Sequence, residues 1–368
     1  MKMPTSNRHF DFSMRAVVLA ALFLFATLPI CGTDFGLSSV WGQTKVRPTL
    51  LLPNGLALDA KGDLYISDIG AHQIFKLEKD RLMLIAGTGD GGFGGDGGPA
   101  TKAQLFAPHD LLFDADGNLL VADTQNHRIR RIDRRGIITT IAGDGSGSKA
   151  SLNNPQSIAL DGAGNLLIAD TYNHLIRRVD RNGAMTTFAG TQAGFDGDGG
   201  PATKAQMSLP MAVTVAPDGS VFVADGGNSR IRRIAPDGKI QTVAGFGPAQ
   251  DTYGGGFAGD GGPAEKAKIF IACDLKTDSA GNLFISDSGN NRLRVIRGGV
   301  MNTIAGSGQP GFGGDGGDAL KAELNAPQKI VLAAGGSIFL ADRANHRVRK
   351  IDAKDVIRTI AGDGNSQK

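Results

Sequence analysis

The sequence predicts an all-β protein, a six-bladed β-propeller with four antiparallel strands in each blade. Three observations predict it. First, an aspartate that closes a Val-Ala-Asp-like run recurs at Asp68, Asp123, Asp170, Asp225, Asp287 and Asp342. The separations are 55, 47, 55, 62 and 55 residues, so the unit is 47 residues with inserts of 8 or 15. A period of that length marks a repeat architecture. Second, each unit holds four short apolar runs divided by turn signals. In the second unit these are Asp110–Asp114, Asn118–Ala122, Arg128–Asp133 and Ile137–Ala142. Third, glycine is abundant, with 54 copies in 368 residues. It follows no Gly-X-Y period, which excludes collagen and leaves many short strands joined by tight turns.

The elements follow in order. Asp-Gly, Asn-Gly and Gly-Asn pairs between the runs supply the positive φ values that tight hairpins need. Four antiparallel strands per unit, six times over, describe propeller blades at about 50–90, 105–145, 152–192, 207–247, 269–308 and 324–363. No 3.6-residue apolar period is present, so a helical solenoid is excluded. All six units run through four strands, and the last ends at Ile360-Ala361-Gly362. Ring closure by a swapped strand is therefore not required, and whether Lys45–Leu51 adds to the last blade is left open.

The N-terminus reads as an export signal. Ala16–Ile30 is apolar, follows Arg8 and Arg15, and is short for a membrane span. Residues 1–42 are expected to be a signal peptide and leader, cleaved after Gly42, with 43–368 forming the propeller. Cys31 admits a lipoprotein and an uncleaved leader admits a membrane anchor. An exported protein, periplasmic or extracellular, is the expectation. Cleavage leaves 36 Lys plus Arg against 34 Asp plus Glu, a net charge near +2. No strong basic field for nucleic acid follows. Cys273 becomes the only thiol, so no intrachain disulfide can form.

The stretch from Ile158 to His174, Ile-Ala-Leu-Asp-x-x-Gly-Asn-Leu-x-Ile-Ala-Asp-x-x-Asn-His, resembles the NHL repeat. The spacer Gly-Asp-Gly-Gly-Pro-Ala with its preceding Phe resembles the NHL propellers of bacterial exported proteins and of the extracellular part of teneurins. The resemblance covers about residues 50–363 and implies the propeller fold. It implies no single activity, because such propellers include binding scaffolds, kinase sensor domains, RNA binders and lyases.

Residues present in nearly every blade are expected to serve the blade. His72, His127, His174 and His346 share one repeat position. Spread around a ring they lie too far apart for one ion, and they read as turn histidines that bond backbone groups. The six repeated aspartates read as acceptors of turn N–H groups. Arg130-Arg131, Arg177-Arg178, Arg232-Arg233 and Arg349-Lys350 recur on the third strand. A solvated outer face paired with nearby carboxylates is the expected role, against a basic stripe for nucleic acid. Gly87–Gly92 and Gly306–Gly311 satisfy G-x-G-x-x-G but open no βαβ unit, which argues against a dinucleotide site.

The spacers carry Asp96, Asp198, Asp260 and Asp315 in a shared Gly-Asp-Gly-Gly context. A rigid loop on the top face is expected, with Ca²⁺ held by these aspartates as the alternative. An EF-hand is excluded because Met207 occupies the twelfth position counted from Asp196.

Function is expected where the six-fold sameness breaks. The residues that open each first strand should surround the mouth of the central channel: Asn54, His109, Gln156, Met211, Cys273 and Gln328. The next ring is Gly55, Asp110, Ser157, Ala212, Asp274 and Lys329. Blades two and five face each other, so His109-Asp110 opposes Cys273-Asp274. His109, Asp110 and Asp274 are the catalytic and metal-ligand candidates, for Zn²⁺ or Ca²⁺ or as base and acid. Polar side chains solvating a water-filled mouth is the plainer reading. Tyr253 and Phe257, in the longest spacer, join Asn54, His109, Gln156, Cys273, Gln328 and Lys329 as ligand-contact candidates. No Gly-x-Ser-x-Gly, HExxH or Cys-x-x-Cys motif is present.

The leading expectation is an exported scaffold that binds a protein, peptide or glycan through its top face and inter-blade loops. The alternative is a metal-assisted lyase or lactone hydrolase at the channel mouth. Nucleic acid is not an expected partner, and a membrane contact would come only from an uncleaved leader.

Overall fold

The computed structural model describes residues 49–246 and 256–365. The leader, Cys31 and Tyr253 lie outside those residues. Twenty-four strands form six four-stranded antiparallel sheets, each in plain chain order. Blade one is β1 (Pro53–Leu58), β2 (Leu64–Asp68), β3 (Gln73–Glu78) and β4 (Arg81–Ala86). Blade two is β5 (Pro108–Phe113), β6 (Leu119–Asp123), β7 (Arg128–Ile132) and β8 (Ile138–Ala142). Blade three is β9 (Pro155–Leu160), β10 (Leu166–Asp170), β11 (Leu175–Val179) and β12 (Met185–Ala189). Blade four is β13 (Pro210–Val215), β14 (Val221–Asp225), β15 (Arg230–Ile234) and β16 (Ile240–Ala244). Blade five is β17 (Ala272–Thr277), β18 (Leu283–Asp287), β19 (Arg292–Arg297) and β20 (Val300–Ala305). Blade six is β21 (Pro327–Leu332), β22 (Ile338–Asp342), β23 (Arg347–Ile351) and β24 (Ile357–Ala361). The first strands of successive blades contact one another around the axis, β21 meeting β1.

The Asp-x-x-Gly-Asn signature builds the turn between the first two strands. In blade two Asp114 Oδ1 accepts from Asn118 N at 2.8 Å, and Asp114 Oδ2 accepts from Asn118 Nδ2 at 2.8 Å. Gly117 takes φ +78, the left-handed region that glycine enters without a Cβ penalty.

The core lies between the blades. Six clusters of buried Leu, Ile, Val and Ala each join two neighbours. Three residues before every first strand stands a wedge with almost no exposure: Leu50, Leu105, Leu152, Met207, Ile269 and Leu324. Burying each such side chain contributes about 1.5–3 kcal/mol. Leu50 closes the ring, packing with Ala341, Val348 and Ala361 of blade six. Thr49 Oγ1 donates to Asp363 Oδ2 at 2.9 Å, and His346 Nδ1 meets Leu51 O. Closure thus uses side chains and one backbone carbonyl. Each sheet keeps its own four strands.

The repeated histidines and aspartates hold the blade junctions. Residues just before the first strand take positive φ, among them Ala107 (+49), Asn154 (+59), Leu209 (+48) and Ala326 (+49). Such a conformation is strained for a residue with a side chain. Three of their N–H groups donate to the preceding blade's histidine: Ala107 to His72 Nδ1 (3.2 Å), Asn154 to His127 Nδ1 (3.0 Å) and Leu209 to His174 Nδ1 (3.1 Å). Asn291 Oδ1 does the same for Ala326 at 2.9 Å. The aspartates accept backbone N–H groups, as Asp123 Oδ1 does from Phe106 at 2.8 Å.

Two expectations are corrected here. The spacers begin on the top face but do not stay there, and they cover the outer sheet edges. Pro99 bridges Ile137, Pro201 bridges Lys239, Pro263 bridges Val300 and Asp318 bridges Val356, at the start of the fourth strand in blades two, four, five and six. The exposed ladder groups that invite edge pairing are met by the chain itself. The first arginine of each pair is not solvated. Arg130, Arg232 and Arg349 are fully buried and Arg177 nearly so, and Arg294 is fully buried at the same position of blade five. Each of the four fully buried guanidinium groups joins the repeated aspartate of its own blade to the spacer aspartate. Arg130 bonds Asp96 at 2.7 Å and Asp123 at 3.1 Å; Arg232 bonds Asp198 at 2.7 Å and Asp225 at 3.3 Å. Arg294 bonds Asp260 at 2.6 Å and Asp287 at 3.3 Å; Arg349 bonds Asp315 at 2.9 Å and Asp342 at 3.2 Å. The spacer carboxylates proposed for Ca²⁺ are therefore satisfied by a built-in cation. A planar guanidinium serves this role because its fork reaches two carboxylates and the spacer carbonyls together. Of the second members, Arg131 and Arg178 are exposed as expected, whereas Arg233 and Lys350 are half-buried.

Blade one has no described spacer before it and puts Phe75 opposite Ile66, where blade two puts Arg130 opposite Val121. There Asp68 is satisfied instead by the N–H groups of Leu51, Leu52, Gly70 and Ala71.

Candidate functional site: the channel mouth and the top-face rim

The residues expected at the mouth are brought together by a β-bulge repeated in every blade. In blade two Pro108 pairs with Asp123 but Asp110 pairs with Ala122, so His109 is an extra residue. Gln156, Met211 and Cys273 are the extra residues of blades three, four and five. Blades one and six are irregular over Pro53/Leu56 and Pro327/Ile330, which include Asn54 and Gln328. A bulge turns its side chain away from the sheet face it would otherwise share.

The mouth is not the solvated opening expected from its polarity. Asn54, His109, Gln156, Gln328 and Lys329 are all under 9 % exposed, and Cys273 is partly exposed. Asn54 Nδ2 donates to His109 O at 2.7 Å, joining blades one and two. Gln328 Nε2 donates to Ser288 Oγ at 3.0 Å, joining blades five and six. Gln156 Nε2 donates to Asn154 Oδ1 within its own blade at 3.2 Å.

Beneath this ring Asp110 and Asp274 do not stand ready for a metal. The ammonium of Lys329 lies between them, 3.5 Å from Asp110 Oδ2 and 3.3 Å from Asp274 Oδ1. Their other bonds hold the first strands of the next blades. Asp110 Oδ2 accepts from Ser157 Oγ and Ile158 N, each at 3.0 Å, and Asp274 Oδ2 accepts from Ile330 N at 2.9 Å. Lys276 approaches the same Asp274 Oδ1 at 3.5 Å. Gly55 allows the tight contact between blades one and two, since a Cβ there would lie 2.9 Å from His109 O and 2.6 Å from Ser67 Oγ.

Burial pushes the His109 imidazole down to about 3, helped by the charges of Arg343 and Lys329. It is neutral at pH 7. Burial pushes the Cys273 thiol up. Among the described residues, no three His, Cys, Asp or Glu side chains converge as a metal-ligand set.

Around the mouth the top face carries a second feature. Phe93, Phe195, Phe257 and Phe312 are each 37–44 % exposed. Each lies over the guanidinium that opens the third strand. The distances to the ring centre are 3.7 Å for Arg128, 5.1 Å for Arg230, 3.7 Å for Arg292 and 3.7 Å for Arg347. Phe257, singled out in the sequence as a contact residue, is thus one of four equivalents.

Two signals in the sequence were passed over. Asp96 to Arg130, Asp198 to Arg232, Asp260 to Arg294 and Asp315 to Arg349 are all 34 residues apart, a constant offset that marks a pairing. Arg343 follows Asp342 at a repeat position held elsewhere by Ile69, Thr124, Thr171, Gly226 and Ser288. It is the one charged residue there.

Comparison with known proteins agrees with this architecture. The family model of the teneurin NHL domain matches residues 56–147, and that of the NHL repeat matches residues 152–178. Over residues 56–147 and 152–178 the chain is thus similar to NHL-repeat domains, in keeping with its six four-stranded blades. Teneurin-1 of Mus musculus is 28% identical over 326 residues, covering 80% of this chain and 10% of that protein. Teneurin-4 of Homo sapiens is 28% identical over 321 residues, covering 79% and 10%. The chain therefore spans about a tenth of the length of these curated relatives. Among solved structures, a streptogramin B lyase aligns with a TM-score of 0.55 at 13% identity, covering 87% of each chain. An auxiliary nutrient binding protein from Bacteroides ovatus aligns at 0.60 with 16% identity, covering 84% of this chain and 70% of that one. A gluconolactonase from Xanthomonas campestris aligns at 0.56 with 12% identity, covering 85% and 88%. Likeness at these identities is likeness of fold.

Proposed function

We propose that this propeller is an exported interaction scaffold that binds a protein, peptide or glycan partner through its top face. The observation that carries the reading is the rim of four half-exposed phenylalanines, each stacked on an arginine. Aromatic and arginine side chains are the types that dominate binding energy at interfaces. Here they stand on loops held by buried ion pairs, so little ordering remains to oppose association. The lyase and lactonase named among the structural neighbours are other chains. In this one the carboxylates such chemistry would draw on, Asp110 and Asp274, are engaged by Lys329. That engagement favours binding over metal-assisted catalysis.

The test is capture of partners from the exported fraction of the source cells by the intact protein and by a Phe93→Ser/Phe195→Ser/Phe312→Ser variant. A partner retained by the first and lost by the second, at equal melting temperature, supports the reading. Equal capture by both removes the rim from it. Recovery of the protein only in the cytoplasmic fraction would remove the export.

A further inference from the structure

Arg343 stands apart from every other arginine. Among the described residues the arginines withdrawn from solvent are bonded: Arg130, Arg232, Arg294 and Arg349 to carboxylates, Arg128 and Arg347 to backbone carbonyls. The Arg343 side chain is half-buried and makes no hydrogen bond or ion pair there, while its backbone carbonyl accepts from His346 N at 3.0 Å. Its charge acts on both His109 of blade two and Cys273 of blade five, which face each other across the ring. The same repeat position faces the mouth in other blades, where Ser288 bonds Gln328 and a Cβ at Gly226 would lie 2.7 Å from Met211 Sδ, so the Arg343 side chain stands at the mouth.

The repeat explains why it is unpaired. At the junction of blades five and six the residue after the repeated aspartate, Ser288, is bonded to Gln328, the second residue of the next first strand. At the junction of blades six and one these two positions carry Arg343 and Asn54, and no bond joins them. Asn54 spends its Nδ2 on His109 O, and its Oδ1 is buried without a partner. One junction of the ring thus leaves both a guanidinium and a buried acceptor unused. Each is costly to leave so, the first because an unpaired charge is withdrawn from water and the second because an orphaned carbonyl is.

The charge count fixes the kind of ligand. Lys329 and Lys276 balance Asp110 and Asp274. Arg343 leaves the cluster with one net positive charge. A monoanion neutralises it, whereas a dianion would face the two aspartates in excess. A planar guanidinium matches a carboxylate in two parallel bonds.

We propose that the channel mouth receives a carboxylate, held by Arg343, with Asn54 Oδ1 accepting a hydrogen bond from a donor on the same ligand. The C-terminal residue of a peptide offers both groups, as does a small free hydroxy or amino acid. The site extends the top-face reading inward and stands independently of the phenylalanine rim, which the probe does not need.

The test follows the arginine Nε–H signals of the full-length ¹⁵N-arginine-labelled protein at pH 7. Arg343 is assigned by the peak missing from Arg343→Gln. The probes are lactate, the tripeptide Ala-Ala-Ala with a free C-terminus, and the same tripeptide amidated. The expected result is a saturable shift of the Arg343 signal with lactate or the free tripeptide, at least tenfold weaker binding of the amidated one, and, by titration calorimetry on both proteins, at least tenfold weaker binding to Arg343→Gln. Tighter binding of the free tripeptide than of lactate assigns the site to a peptide terminus, and the reverse assigns it to a small acid. Binding of the amidated tripeptide as tight as the free one overturns the proposal. So does undiminished binding to Arg343→Gln, or no saturable shift with any probe. Should Arg343→Gln melt early, Arg343→Lys keeps the charge and removes the fork. Lactate and free-tripeptide binding unchanged in that variant would overturn the two-bond mode.

Discussion

Replacing Arg130 with methionine should cost more than any change to the carboxylate it reaches in the spacer. The guanidinium is fully buried and bonds Asp123 at 3.1 Å, Asp96 at 2.7 Å and the carbonyls of Gln104 (3.4 Å) and Gly94 (3.2 Å). Methionine fills much of the same volume, so little cavity is expected. It leaves Asp123, with zero exposure, holding only the N–H of Phe106 and the Nδ2 of Asn126. Removing one partner of a buried ion pair costs about 3–5 kcal/mol. Asp96 is about one-third exposed and can rehydrate, so Asp96→Asn should cost only about 1 kcal/mol after the discount for solvent screening. Guanidinium chloride unfolding followed by circular dichroism measures both. Hydrogen exchange adds a local reading, because Asp96 Oδ2 accepts from the amide of Thr140 and strand β8 takes its outer bonds from Gly97 and Gly98. Those amides should exchange faster in either variant, while blade three should be unchanged. An Arg130→Met loss below about 1 kcal/mol, or equal losses for the two variants, would refute the account of the spacers as straps fixed by buried guanidinium groups.

Two further outcomes are expected. The folded His109 ionises near 3 rather than in its ordinary range, so the unfolded chain takes up a proton first as pH falls. The stability it represents is complete above about pH 6.5 and declines toward pH 3, by about 2 kcal/mol between pH 7 and pH 5. His109→Gln should flatten the pH dependence of unfolding over that range, and parallel curves would contradict the burial of the imidazole. Lys329→Met leaves Asp110 and Asp274 buried without their shared ammonium and should destabilise by about 3–5 kcal/mol. Adding Asp110→Asn and Asp274→Asn should restore most of it, since asparagine still accepts from Ile158 N and Ile330 N. A triple variant as unstable as the single one would show that the lysine acts through packing.

The sequence by itself determined the six blades, their four strands and the turns that join them. Those features repeat, and each is a local matter: Asp114 and Gly117 make their turn with residues three or four away. It also determined that histidine at the third-strand turn and aspartate at the end of the second strand serve the frame. Tertiary structure alone decided what the polar and charged residues face. Arg130 and Arg131 are neighbours in sequence, yet one is buried between two carboxylates and the other is exposed, because alternate residues of a strand point to opposite sides. The residues expected at the mouth share one repeat position, but their burial depended on a bulge there that no local pattern in the sequence announces. The pairing of Lys329 with Asp110 and Asp274 joins blades six, two and five, a relation that no spacing along the chain encodes. Arg343 differs from its five repeat equivalents in plain view. That it lacks a partner follows only from ring closure, which brings the end of the chain back to Asn54.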